Sequence, residues 1–301
     1  MLTDEQRVKL KRQIDQLREN FGKVPEEELM AYPAEREEQK IPGLYGETTV
    51  IKFEYGERTA DRPLFLNFHG GGFIGRRMER DELFCRRMAC EFRAIVLDVD
   101  YKLAPEYPYP NAVNECWDVV EWMWKNQEEL LYRPDRVVLI GHSSGGNLVA
   151  GICMRAGETG LFRPCCAVLD YPPLDLATDP AQKERTICDM PAERAREYNR
   201  KYVMPEQSKE PYASPLFAPD ELLRHFPNTL IIAAGEDSLC REDEAFALRL
   251  VRVGVTVTAR RFTESMHGFV INRMCEWESA MALILRFIRQ HMDEGEGEAE
   301  G

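Results

Sequence analysis

No C-x-x-C pair occurs among the nine cysteines of this 301-residue chain, which speaks against a zinc ribbon, and an odd count speaks against a full disulfide framework. Most of these cysteines, such as Cys153 and Cys165, sit in apolar sequence and read as small buried hydrophobes, the usage of a reducing compartment. Basic residues are in deficit: 39 Lys and Arg face 52 Asp and Glu. The resulting net charge of -13 argues against nucleic acid or an anionic membrane surface as a partner. Nowhere is there a run of about 18 apolar residues, the minimum for a membrane span. The first residues, Met1 to Arg7, are polar and lack an apolar signal core. Together these absences predict a cytoplasmic protein with no membrane association, and they leave a homo-oligomer open. No internal repeat is visible either.

What is present is alternation. Short apolar runs at Leu64–Phe68, Ala94–Asp98, Arg136–Ile140, Cys165–Asp170, Thr229–Ala233 and Val255–Arg260 read as strands. Between and after them, Asn114–Leu130, Ser144–Arg155, Glu242–Val253 and Cys275–His291 carry helical periodicity. Strands alternating with helices predict an α/β fold, with a mostly parallel central sheet flanked by helices. Val50–Tyr55 and Leu64–Phe68, separated by Gly56, are expected to pair as an antiparallel edge hairpin. Residues 3–20 predict a helix capped by Thr3 and Gln6, and the charged, Pro-interrupted stretch from Val24 to Gly46 predicts short helices or loops. Pro172–Pro215 breaks the alternation and is long for a loop, as lids and binding elements are. The expected organisation is therefore a cap segment over 1–45, a main domain over 46–292 with a cap insertion at 172–215, and a solvated acidic tail over 293–301.

Three signals carry chemistry. The first is Gly141-His142-Ser143-Ser144-Gly145 between the strand Val137–Ile140 and a helix start. A bare G-x-S-x-G match arises by chance in about one chain of this length in ten. Set between strand and helix, it is the nucleophile elbow, a sharp turn that lifts a serine hydroxyl above the sheet with a strained, positive φ. The second is His69-Gly70-Gly71-Gly72-Phe73 directly after a strand, where consecutive glycines free backbone N–H groups to converge on one oxyanion. His69 is expected to brace this loop. The third is chain order: Ser143 is followed by Asp237 and then His267, each just beyond a strand. Glu236 is the rival to Asp237, and His142 is expected to point away from the nucleophile beside it.

With these residues in place, the chain resembles the hormone-sensitive-lipase family of bacterial esterases, the H-G-G-G group of the α/β-hydrolase fold, from about residue 45 to 290. Asp100-Tyr101-Lys102-Leu103-Ala104-Pro105-Glu106 and Ser214-Pro215-Leu216 are similar to further motifs of that family. The sequence departs from it at His142 and Ser144, where the family usually has Asp or Thr and Ala. The resemblance implies an oxyanion hole from the N–H groups of Gly71, Gly72 and Ser144, and a cap made by the N-terminal region with the insertion. The implied activity is serine esterase chemistry on a small-molecule ester, through an acyl-enzyme and without metal or organic cofactor. An amidase or a deacetylase of sugar or antibiotic esters would use the same residues. Small-molecule receptors of plants resemble the family too, but have lost the histidine that stands here as His267.

Overall fold

The computed structural model describes residues 23–293 and, before them, Thr3, Glu5, Gln6 and Val8. One mixed sheet of eight strands organises the chain: β1 (Glu35–Gly43), β2 (Gly46–Glu54), β3 (Leu64–Phe68), β4 (Ile95–Asp100), β5 (Val137–His142), β6 (Cys166–Asp170), β7 (Asn228–Ala234) and β8 (Val257–Phe262). Their order is β1-β2-β4-β3-β5-β6-β7-β8. All neighbours from β4 through β3 to β8 are parallel, and only β1 and β2 run against their partners.

Among the described residues, the helices longer than ten residues are α1 (Glu79–Phe92), α2 (Asn111–Lys125), α3 (Ser144–Thr159), α4 (Ala192–Tyr202), α5 (Cys240–Arg252) and α6 (Trp277–Asp293). The sheet divides them by the two-residue period of its side chains. Leu64, Leu66 and Phe68 of β3 face a core completed by α2, α3 and α5, whereas Phe65 faces α1 and α6. A parallel sheet covered on both faces needs strands that are apolar throughout, and every residue of β3, β5 and β6 is buried. This is the α/β-hydrolase fold.

The expected edge hairpin is displaced. β2 pairs with β1, in register from Glu35–Glu54 to Gly43–Gly46, and β3 lies inside the sheet between β4 and β5. The reason is burial: Leu64–Phe68 has no exposed residue and cannot serve as an edge, whereas β1 carries Glu35, Arg36, Glu37, Glu38 and Lys40 into solvent. Charged edges of this kind resist pairing with other chains. The stretch expected to hold only short helices or loops thus contains that strand, besides a short helix at Glu26–Met30. The single helix expected over Asn114–Leu130 is broken at Asn126. α1 was not expected at all.

Thr3 and Gln6 exchange the anticipated pair of capping bonds, at 2.7 and 3.3 Å, while most of the helix proposed for 3–20, and the tail from 294, lie outside the described residues. Cys153 and Cys166 are buried, as their apolar setting implies, but Cys165 is only half-buried. No helix among the described residues is long and apolar enough to cross a membrane.

Candidate active site

The segments leaving the C-terminal ends of β3, β5, β7 and β8 carry His69–Gly72, Ser143, Glu236, Asp237 and His267. At the end of β5 the chain turns at Ser143 with φ 54° and ψ -122°, and α3 starts at the next residue. Such a positive φ is costly for a residue with a Cβ, and its neighbours hold it there. A Cβ on Gly141 would meet Gly145 O at 2.2 Å, and one on Gly145 would meet Phe68 O at 1.9 Å. Only glycine fits either place, so the turn has its sharpness from sequence. The Ser143 N–H donates to Asp170 O at 2.8 Å, tying the turn to the end of β6.

Ser143 Oγ lies 2.8 Å from His267 Nε2, and His267 Nδ1 lies 2.6 Å from Asp237 Oδ2. Asp237 Oδ1 meanwhile accepts the Leu239 N–H at 3.2 Å. The carboxylate on His267 is thus that of Asp237, and Glu236 is buried beside it with its own N–H donating to Ser265 O. Burial pushes the His267 imidazole down, but the Asp237 charge and hydrogen bond, with Asp170 and Asp189 behind them, outweigh it and hold it above its ordinary value. The edge of Tyr171 packs on the imidazole with ring centres 5.0 Å apart.

The glycine loop lies against this turn: a Cβ on Gly70 would come within 3.3 Å of Ser143 Cβ. Gly71 and Gly72 have φ of 124° and 60°. Among the described residues, no backbone or side-chain acceptor engages the N–H groups of Gly71, Gly72 and Ser144. His69 is fully buried, its Nδ1 donates to Gly70 O at 2.7 Å, and its ring stacks on Tyr101 at 4.3 Å. The Tyr101 hydroxyl donates to His69 O at 2.9 Å and sits 3.4 Å from Ser144 Oγ. Hence His69 belongs to the loop and not to the Ser143 line. His142 points to the opposite side, where Nδ1 meets Asp170 Oδ2 at 2.7 Å in a buried pair, with the edge of Phe84 at 4.5 Å. Burial raises the Asp170 carboxyl, against the pull of His142.

Several residues at this site escaped the sequence reading. Tyr171 follows β6 with φ 41°, and Tyr198 of α4 stands so near Gly72 that a Cβ there would meet its ring at 2.5 Å. For Tyr171 and Asp170 a signal existed: β6 neighbours β5 in a parallel sheet, and its C-terminal end must flank the turn at Ser143. For Tyr198 there was none: the helical stretch near Pro191–Tyr202 is readable from the sequence, but where the insertion brings that helix to rest is not.

Comparison with known proteins places the site in context. Residues 65–271 match a family model described as the α/β-hydrolase fold. An arylesterase of Saccharolobus solfataricus is 32% identical over 210 residues, covering 69% of this chain and 68% of that protein. The hormone-sensitive lipase of Ictidomys tridecemlineatus is 30% identical over 208 residues, covering 69% of this chain but 26% of its own length. Among solved structures, a hyperthermophilic esterase from the archaeon Pyrobaculum calidifontis superposes with a TM-score of 0.82 at 28% identity, over 96% of this chain and 99% of that one.

Proposed function

This chain belongs to the α/β-hydrolase family, in the group that contains hormone-sensitive lipase and the esterases, and we propose that it cleaves short-chain carboxylic esters with Ser143 as nucleophile. The observation that carries the proposal is the unbroken hydrogen-bond line from Ser143 Oγ through His267 to Asp237, at 2.8 and 2.6 Å. With Nδ1–H donated to Asp237, the lone pair on Nε2 is free to take the serine proton as Oγ attacks the ester carbonyl. Asp237 then faces an imidazolium, which the same carboxylate stabilises. The negative charge on the carbonyl oxygen falls to the N–H groups of Gly71, Gly72 and Ser144, each worth about 3 kcal/mol of barrier in comparable sites. His267 passes its proton to the departing alcohol, and water repeats the attack on the acyl-enzyme.

The short-chain preference rests on the wall above the site. The insertion brings Tyr198 against Gly72, and Phe73, next in the loop, stacks on Tyr202 of α4 at 3.6 Å. The residues after Gly22 close a neighbouring side: Val24 N–H donates to Glu79 at 2.8 Å, and Glu28 pairs with Arg273 beyond His267 at 2.5 Å. In this reading, residues 23–34 and 172–215 form a cap over the main domain, and Glu35–Gly43, expected within a cap segment over 1–45, belongs instead to the sheet as β1. Each further buried CH₂ helps by about 0.8 kcal/mol, roughly fourfold in rate, only while the pocket has room. Measurement of kcat/KM across acetyl, butyryl, hexanoyl, octanoyl and palmitoyl p-nitrophenyl esters tests this. The maximum is expected between about two and six carbons; a maximum at palmitoyl, or a jump in rate on emulsified triglyceride, would refute the enclosed pocket.

A further inference from the structure

The turn Thr186–Asp189 of the insertion reaches past the pocket wall and touches the neighbours of both Asp237 and His267. Asp189 Oδ1 accepts the N–H of Ser238, the residue after Asp237, at 2.7 Å. The Thr186 hydroxyl donates to the carbonyl of Glu236, the residue before Asp237, at 3.3 Å. Cys188 is buried with Met266, the residue before His267, and Met274. The turn is also braced within itself: Asp189 Oδ2 accepts the Thr186 N–H at 2.6 Å, and Thr186 Oγ1 accepts the Cys188 N–H at 3.1 Å. Its base is anchored as well, because Lys183 pairs with Glu242 of α5 at 2.5 Å and Glu242 also accepts the Leu174 N–H at 2.7 Å.

We propose that Asp189 is a positioning residue of the hydrolytic site, clamping the Asp237 loop from the insertion and so making the seating of the cap a condition for an ordered carboxylate–imidazole pair. This inference rests on the roles assigned to Asp237 and His267. A cap that only walls a pocket has no need of a carboxylate aimed at the backbone of the acid loop. Placing a second negative charge there is costly: burial, and then the Asp237 charge, push the Asp189 carboxyl up, while its two backbone N–H donors oppose them. What the arrangement gains is a loop held on both sides of Asp237. It also adds a charge that His267 experiences with those of Asp237 and Asp170, the carboxylates that face it from the β7 and β6 ends.

The test compares wild type with Asp189→Asn, Asp189→Ala and, as a control in the same segment, Glu184→Gln, which breaks only a surface pair with Arg241. Asp189→Asn should lower kcat about tenfold or more, the scale on which small misplacements of catalytic groups cost rate, with KM changed less than about twofold. The acid limb of kcat/KM should move to lower pH, because one of the negative charges that favour the His267 imidazolium is gone. Glu184→Gln should change neither. A rise in KM alone, or an unmoved acid limb with unchanged kcat, would make Asp189 a mere part of the wall and overturn the proposal. Should the Asp189 variants fail to fold, Thr186→Val removes the other strut without altering charge. It should lower kcat by a few-fold with the acid limb unmoved, and an unchanged kcat would again overturn the proposal. If wild type itself hydrolyses no ester, the functional assignment falls together with this one; if only the variants match wild type, the clamp alone falls.

Discussion

Replacing Gly145 by alanine adds one methyl group at the most crowded point beneath Ser143. That Cβ would sit 1.9 Å from Phe68 O, 2.6 Å from Phe68 C and 2.7 Å from His69 O, all of them backbone atoms. Merely reaching 3.0 Å from Phe68 O requires the end of β3 to retreat by about 1.1 Å. The same peptide leads into Gly70, Gly71 and Gly72, so the N–H groups proposed as oxyanion donors shift with it. A displacement of that size typically costs on the order of 100-fold in rate, and overpacking of a rigid core costs about 1–3 kcal/mol of stability or more. Gly160 provides the contrast. It ends α3 with φ 63° and has open space around its would-be Cβ, so alanine there meets only the left-handed backbone penalty of roughly 1–2 kcal/mol. The assay is kcat for a butyryl ester together with thermal unfolding. Gly145→Ala should lose at least about 100-fold in kcat besides melting earlier, while Gly160→Ala should melt a few degrees lower at full rate. A Gly145→Ala enzyme with wild-type kcat and melting temperature would refute the argument that this glycine holds the two loops in register.

Asp237→Asn should cost about 10⁴-fold in kcat, because the amide can hold His267 in the wrong tautomer, and Glu236→Gln should cost far less. Steady-state rates for the two variants decide it, and the reverse ranking would exchange their roles. In the pH profile of kcat/KM, His267 must be neutral to act as base, so its raised pKa puts the acid limb above the ordinary histidine value of about 6.5. A limb below that value would mean that burial outweighs the Asp237 charge at this imidazole. Activity should survive falling pH less well than an exposed histidine would allow.

How much of this was legible in the sequence follows from how local each constraint is. The turn at Ser143 and the loop at Gly70–Gly72 are written in consecutive residues, because close backbone approach permits only glycine there. Asp237 and His267 are single residues, readable only through strand order and position beyond β7 and β8. β1 was illegible since its stretch Glu35–Lys40 is charged or polar throughout, and its one buried residue, Ile41, makes no apolar alternation. α1 was hidden by the charged run Arg76-Arg77-Met78-Glu79-Arg80-Asp81-Glu82 at its entry, although Leu83, Phe84, Met88 and Ala89 behind it are buried. The contact between Asp189 and Ser238 spans 49 positions and depends on where an irregular insertion comes to rest. No periodicity encodes that.

The central claim is that Ser143 becomes acylated. The protein treated with a fluorophosphonate should gain one adduct by intact mass, and peptide mapping should put it on Ser143. Ser143→Ala should take up no label and lose nearly all esterase activity, with the thermal unfolding of wild type retained. An adduct on another residue, or a Ser143→Ala protein that still hydrolyses p-nitrophenyl butyrate at a wild-type rate, would contradict the account.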